Sequence, residues 1–252
     1  DDITIILKGD GGFSGTISLE RNRNNASRTH GAFIELASDT AAKNAVISLS
    51  GTNANSVASL AVNTHNATIK GLVGNEHSYV YAGESMDAAE LSGTARPTAT
   101  RNATLVVNVD SDKEYTYAGA LGCTADTASA GLNLVKTGAG VQHLTGAIAT
   151  NNLTVQQGTL NISQAPVRGN LAIGLGATLN AGNNLELGSG QRLSVAAGVD
   201  GATGSAVLGS SLTLNGGSLG FDGGAVVAAN AAGNAALSLQ GITLNGTANI
   251  NF

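Results

Sequence analysis

Leu153-Thr154-Val155-Gln156-Gln157-Gly158-Thr159-Leu160-Asn161-Ile162 reads as two very short strands joined by a glycine-containing turn. In both strands apolar and polar residues alternate, the pattern of a strand that buries one face. The same phrasing returns at Leu212-Thr213-Leu214-Asn215-Gly216-Gly217-Ser218-Leu219 and at Ile242-Thr243-Leu244-Asn245-Gly246-Thr247-Ala248. Upstream, Ile3-Thr4-Ile5-Ile6-Leu7, Ala45-Val46-Ile47-Ser48-Leu49 and Ala103-Thr104-Leu105-Val106-Val107 carry longer versions of the pattern. Helical periodicity is nearly absent. Only Met86 to Leu91 and Val226 to Ala236, both alanine-rich, could form a helical turn.

The spacing decides the architecture. From Leu153 on, strands begin roughly 6–9 residues apart over long stretches. A βαβ crossover needs a dozen or more residues, so those units do not fit. Antiparallel hairpins fit the spacing, but they favour matched strands with Asn-Gly or Asp-Gly tips, and the turns here are irregular. Short strands stacked as a solenoid, with coils of ~20 residues in contact only with their neighbours, accommodate both features. The expected fold is all-β, a right-handed parallel β-helix spanning 1–252 as one segment. Loop excursions are expected near 20–31 and 74–101.

Composition agrees. Aromatic residues make up 3% of the chain, Trp is absent, and there are 35 glycines. A core of this kind draws its burial from thin layers of Leu, Ile, Val and Ala instead of large rings. Gly and Asn suit corners that need positive φ. Charge is 12% and net −5, against the clustered excess of Lys and Arg that phosphate binding demands. Nucleic acid is therefore not expected as a partner. Residues 131–252 carry only Glu186, Asp200, Asp222, Lys136, Arg168 and Arg192 as charges. No run of 18 apolar residues occurs, so no membrane-spanning helix is expected. Opening at Asp1-Asp2 without Met or leader, the chain reads as a mature or excised stretch.

One stretch is more specific. Leu134-Val135-Lys136-Thr137-Gly138-Ala139-Gly140, then Leu144-Thr145-Gly146, then Leu153 to Ile162, resembles the autotransporter-associated β-strand repeat. The best match covers 132–162. It departs from the family pattern at Gln142-His143, where a Thr-Leu step is usual, and at the bridge Ala147-Ile148-Ala149-Thr150-Asn151. A fainter copy lies at Gly12-Phe13-Ser14-Gly15-Thr16-Ile17. The resemblance implies a β-helical passenger of a type V secreted protein, displayed outside a bacterial cell beyond the outer membrane.

Parallel β-helices can also be polysaccharide lyases or hydrolases, which need two carboxyls close together or several acids about one cation. The best candidate is Asp110-Ser111-Asp112-Lys113-Glu114. Strand alternation would put Asp110, Asp112 and Glu114 on one side, and a solvated loop is the other reading. His30, His65, His77 and His143 show no metal-ligand spacing, and Cys123 has no possible disulfide partner within the chain. No metal, cofactor or catalytic residue is expected. Function usually sits on loops projecting from a regular scaffold. Arg21, Arg23 and Arg28 in the first excursion, and Tyr79 and Tyr81 in the second, are therefore the candidate partner-binding residues. The expected function is a non-catalytic, adhesive or stalk-like surface module. Its expected partners are glycans or surface proteins of host or neighbouring cells, with self-association also open and no membrane insertion by this segment. A carbohydrate-active β-helix enzyme is the alternative.

Overall fold

A computed structural model describes residues 2–22, 30–84, 101–122, 131–163, 169–174, 176–181, 185–188, 191–196, 205–208, 211–215, 218–222, 237–238, 241–245 and 249–251. Among them the regular structure is β throughout, in 25 strands, with no helix. The two alanine-rich stretches expected to form a helical turn, 86–91 and 226–236, lie outside the described residues.

Four sheets hold the strands. The first contains β1 (Ile3–Leu7), β3 (His30–Leu36), β5 (Ser56–Ala61), β8 (Ser78–Tyr81) and β11 (Ala120–Leu121). In the second are β2 (Gly15–Arg21), β4 (Ala45–Gly51), β7 (Gly71–Gly74), β10 (Glu114–Tyr117), β13 (Val141–Leu144), β15 (Thr159–Ile162), β17 (Thr178–Ala181), β20 (Ser205–Leu208) and β23 (Leu237–Ser238). The third has β6 (Asn66–Ile69), β9 (Asn102–Asn108), β12 (Gly131–Thr137), β14 (Leu153–Val155), β16 (Leu171–Ile173), β19 (Arg192–Ala196), β22 (Ser218–Asp222) and β25 (Asn249–Asn251). The fourth comprises β18 (Leu185–Gly188), β21 (Ser211–Asn215) and β24 (Gly241–Asn245).

Every ladder between these strands is parallel. Consecutive strands do not pair with each other; they enter different sheets in rotation. β5, β6 and β7 go to the first, third and second sheets, and β8–β10 and β11–β13 repeat that order. From β18 onward the fourth sheet takes the first sheet's place in the rotation. Ladder partners are therefore one whole pass of the chain apart. Where no insertion intervenes the offset is 18 or 19 residues, as in Leu134 to Leu153 to Leu171 and Val141 to Thr159 to Thr178.

Parallel register aligns like with like. Leu105, Leu134, Leu153, Leu171 and Leu193 occupy one register line across five strands of the third sheet, and all are buried. Branched aliphatics fill the pleated face at low entropic cost, and a column of one residue type packs the same way at every step. The main core runs without a break from Leu19 to Leu193. Its two large rings, Tyr115 and Tyr117, stand where glycines make room. A Cβ on Gly74 would lie 2.7 Å from the Tyr117 ring, and one on Gly71 would overlap Tyr115. A second, smaller apolar cluster (Phe33, Val57, Ala61 and Tyr81, with Tyr79 beside it) lies on the other face of the first sheet.

Candidate functional site

A polar groove of about 360 Å³ opens beside the N-terminal ends of the second sheet's early strands. Its walls come from four successive passes: Ser14, Gly15 and Thr16 at β2, Asn44 and Val46 at β4, Lys70 just before β7, and Asp110 and Tyr115 around the start of β10. Lys70 Nζ donates to Asp110 Oδ1 at 2.6 Å, so the pair spans the groove's far end. Both side chains keep contact with water.

The groove exists because one ladder is interrupted. β7 and β10 pair only at Gly74 and Tyr117, and the strands part on the N-terminal side of that point. Left alone, the backbone groups of Leu72 would be buried without partners, at a cost of roughly 1–3 kcal/mol each. Gln142, on β13, reaches past β10 to fill the gap. Its Oε1 accepts from the Leu72 N–H at 3.1 Å, and its Nε2 donates to the Leu72 carbonyl at 2.9 Å and the Tyr115 carbonyl at 3.2 Å. The primary amide thus stands in for the missing peptide group. Gln142 is fully buried in a register line between Tyr115 on one side and Leu160 and Leu179 on the other. This position is also where the sequence leaves the repeat pattern.

The acidic run does not form a carboxylate cluster. The Lys113 N–H donates to the Asp110 carbonyl at 3.0 Å, which closes a four-residue turn between β9 and β10. In a turn the two-residue alternation of a strand is lost, and the acids diverge. Asp110 pairs with Lys70, Asp112 with Lys113 at 2.8 Å, and Glu114 with His143 Nε2 at 2.6 Å. The hydrogen bond from Lys113 holds the Asp112 carboxyl below its ordinary range. Among the described residues no three His, Cys, Asp or Glu side chains gather closely enough to hold a metal.

His143 belongs to a polar line running outside the second sheet. Asn180 Nδ2 donates to Asn161 Oδ1 at 2.6 Å, Asn161 Nδ2 meets His143 Nδ1 at 3.1 Å, and His143 Nε2 meets Glu114. An amide N–H₂ can only donate, so Nδ1 must accept and the ring carries its proton on Nε2.

The Lys-Thr-Gly-Ala-Gly string is structural. Lys136 is fully buried in an aliphatic line between Val107 and Val155. Its ammonium donates to the carbonyls of Thr137 at 2.8 Å, Gly138 at 2.7 Å and Gln157 at 3.1 Å. It thereby ties one corner to the next pass. Burial pulls its pKa from 10.5 to about 8. Gly138 has φ of 72°, and a side chain there would strike the Val109 carbonyl; Gly158, at 70°, would strike the Gly138 carbonyl.

The residues expected to bind a partner fare differently. Arg21 is no loop residue: β2 pairs with β4 as far as Arg21 opposite Gly51, and Arg21 is buried. Arg23 and Arg28 lie outside the described residues, as does Cys123. Tyr79 and Tyr81 are likewise corrected from loop to sheet. They belong to β8, whose pairing with β5 sets both beside Phe33 and Val57, and Tyr81 is buried. Burial of this kind leaves Tyr81 no surface to offer. His65 pairs with Asp39 at 3.0 Å and His77 with Glu76 at 3.6 Å; His30 opens β3, and its side chain lies outside the described set. Apart from Asp110, the groove residues escaped sequence reading because they are ordinary residues scattered over a hundred positions. The one local sign was Gln142, a large amide where alternation calls for an aliphatic. Comparisons with protein-family models, with curated proteins and with solved structures find no match.

Proposed function

We propose that the passes close into a right-handed parallel β-helix, and that this segment is a non-catalytic passenger of the autotransporter type, exported and displayed at a bacterial surface. The observation that carries the reading is the rotation of parallel strands through the sheets with ladder partners one pass apart. Right-handed connection is the rule for parallel strands. Ten passes at ~4.8 Å each would make a scaffold on the order of 50 Å long. Such a body suits a stalk that holds a binding surface away from the membrane. The repeat-like string supports the family reading, since its Lys and glycines sit where the corners need them. The separate pairing of Asp110, Asp112 and Glu114 with three different side chains favours a binding surface over a catalytic carboxylate pair.

Arrays of host and bacterial glycans and of matrix and surface proteins test the adhesive role, and specific capture is the expected result. Silence throughout would leave a stalk, and any oligosaccharide released from a polysaccharide digestion panel would replace the reading with an enzyme. Antibodies raised against the 252 residues should label intact cells expressing the full reading frame. Labelling only after lysis would defeat the surface assignment.

A further inference from the structure

We infer that the groove bounded by Thr16, Asn44, Val46, Lys70, Asp110 and Tyr115 is a binding site for a neutral pyranose of a glycan chain. The inference rests on the adhesive reading above and narrows it to one place and one ligand class. Its volume, about 360 Å³, falls at the low end of the ~300–1,000 Å³ typical of small-ligand sites.

The lining selects the ligand. The half-buried Tyr115 ring, with only the edge of the buried Val46 beside it, supplies a limited apolar surface matched to the C–H face of a sugar ring. Tyr115 is held in place by the core beneath it and by the room that Gly71 leaves. The remaining surface is hydroxyl, amide and ion pair. Asn44 Nδ2 donates one of its two protons to the Gly11 carbonyl at 2.9 Å, which fixes the amide and leaves its second N–H and its Oδ1 for a ligand. Lys70 donates one proton to Asp110, so the ammonium has further protons and the carboxylate further lone pairs for hydroxyl groups. The two charges cancel. An anionic sugar would meet Asp110, a cation would meet Lys70, and a purely apolar ligand would strip water from both charges without replacing it. A neutral polyol with one apolar face satisfies every wall.

The site is also stiff. Gln142 closes the gap beneath it with three hydrogen bonds to the Leu72 and Tyr115 backbone, so the two parted strands are held at a fixed separation. Preorganisation of this kind lowers the ordering cost of binding.

The test is a titration of the 252-residue protein followed by amide NMR, with mannotriose, cellotetraose and chitotetraose as neutral probes and trigalacturonate as the acidic one. At least one neutral probe should shift the amides of Thr16, Asn44, Lys70 and Tyr115. Thr16→Trp adds a ring at an exposed strand position and should weaken that probe tenfold or more with the far-UV spectrum unchanged. Lys70→Ala should weaken it in the same direction. Neutral sugars that bind equally well to Thr16→Trp would overturn the groove and leave the adhesive reading standing. Preference for trigalacturonate would overturn the neutral class. No binding by any probe would overturn the site, and only a silent array as well would take the adhesive reading with it.

Discussion

Lys136 places an ammonium in a column of valines, and three carbonyl oxygens hold it there. Charge-assisted hydrogen bonds of this type are worth roughly 1.5–3 kcal/mol each when a partner is removed. Lys136→Ala should therefore cost about 3 kcal/mol or more, read as a lower denaturant midpoint at unchanged slope. The pH dependence has a definite sign. Below about 8 the folded and unfolded chains both carry the proton, and the side chain contributes no slope. Between about 8 and 10.5 the folded chain has released a proton that the unfolded chain still binds, so stability should rise through that window. The rise is at most on the order of 3 kcal/mol. Unfolding of wild type and Lys136→Met at pH 7.5 and pH 10 isolates it, since the other groups titrate in both proteins. A wild-type midpoint that falls relative to Lys136→Met would mean that the carbonyls retain the proton more strongly than burial expels it. Gly138 is a second fixed point. Ala there meets both a positive φ and the Val109 carbonyl, and Gly138→Ala should cost about 1–3 kcal/mol.

Among the elements, β13 has two duties, one on each face. Inward, Gln142 mends the ladder between β7 and β10; outward, His143 joins the line from Asn180 to Glu114. Gln142→Leu would match Leu160 and Leu179 in shape but strand the Leu72 backbone groups. The expected loss is about 2–4 kcal/mol, against a gain if the site were simply an aliphatic column awaiting its leucine. Hydrogen exchange should then rise at Leu72 before it rises at Leu160. The outward line predicts that neutral His143 is the Nε2–H tautomer, which its ring ¹⁵N shifts report directly. An Nδ1–H tautomer would require the Asn161 amide to be turned the other way. These elements also show how far local pattern carries. Alternation correctly marks β14 and β15, whose polar positions lie on the less buried face. It misreads Asp110 to Glu114, because the Asp110–Lys113 hydrogen bond bends that run into a turn. It also misassigns Tyr79 and Tyr81 to a loop, since apolar partners on β3 and β5 are contributed by distant segments.

Over the whole molecule, each pass contacts its neighbours in the ladders, and stability should follow position along the stack. Ile5 faces the core side in register with Ile34, yet it is 43% exposed because β1 pairs only with β3. Leu153 sits mid-column and is fully buried. Leu153→Ala should cost about 2–5 kcal/mol. Ile5→Ala should cost under about 1 kcal/mol, since little apolar surface returns to water. Equal losses at the two sites would mean that the end of the stack is covered as well as the middle.

Periodicity, scarce aromatics and glycine-marked corners were enough, in the sequence alone, to specify short strands built on small aliphatic layers, because those properties reside in neighbouring residues. Direction of pairing, register and the offset of one pass were settled only in three dimensions, where the hydrogen-bond partners lie 18 or more residues apart. The groove is the extreme case. Thr16, Asn44, Lys70 and Tyr115 share no local pattern, and they meet because a single ladder opens and an amide from a third strand holds it open.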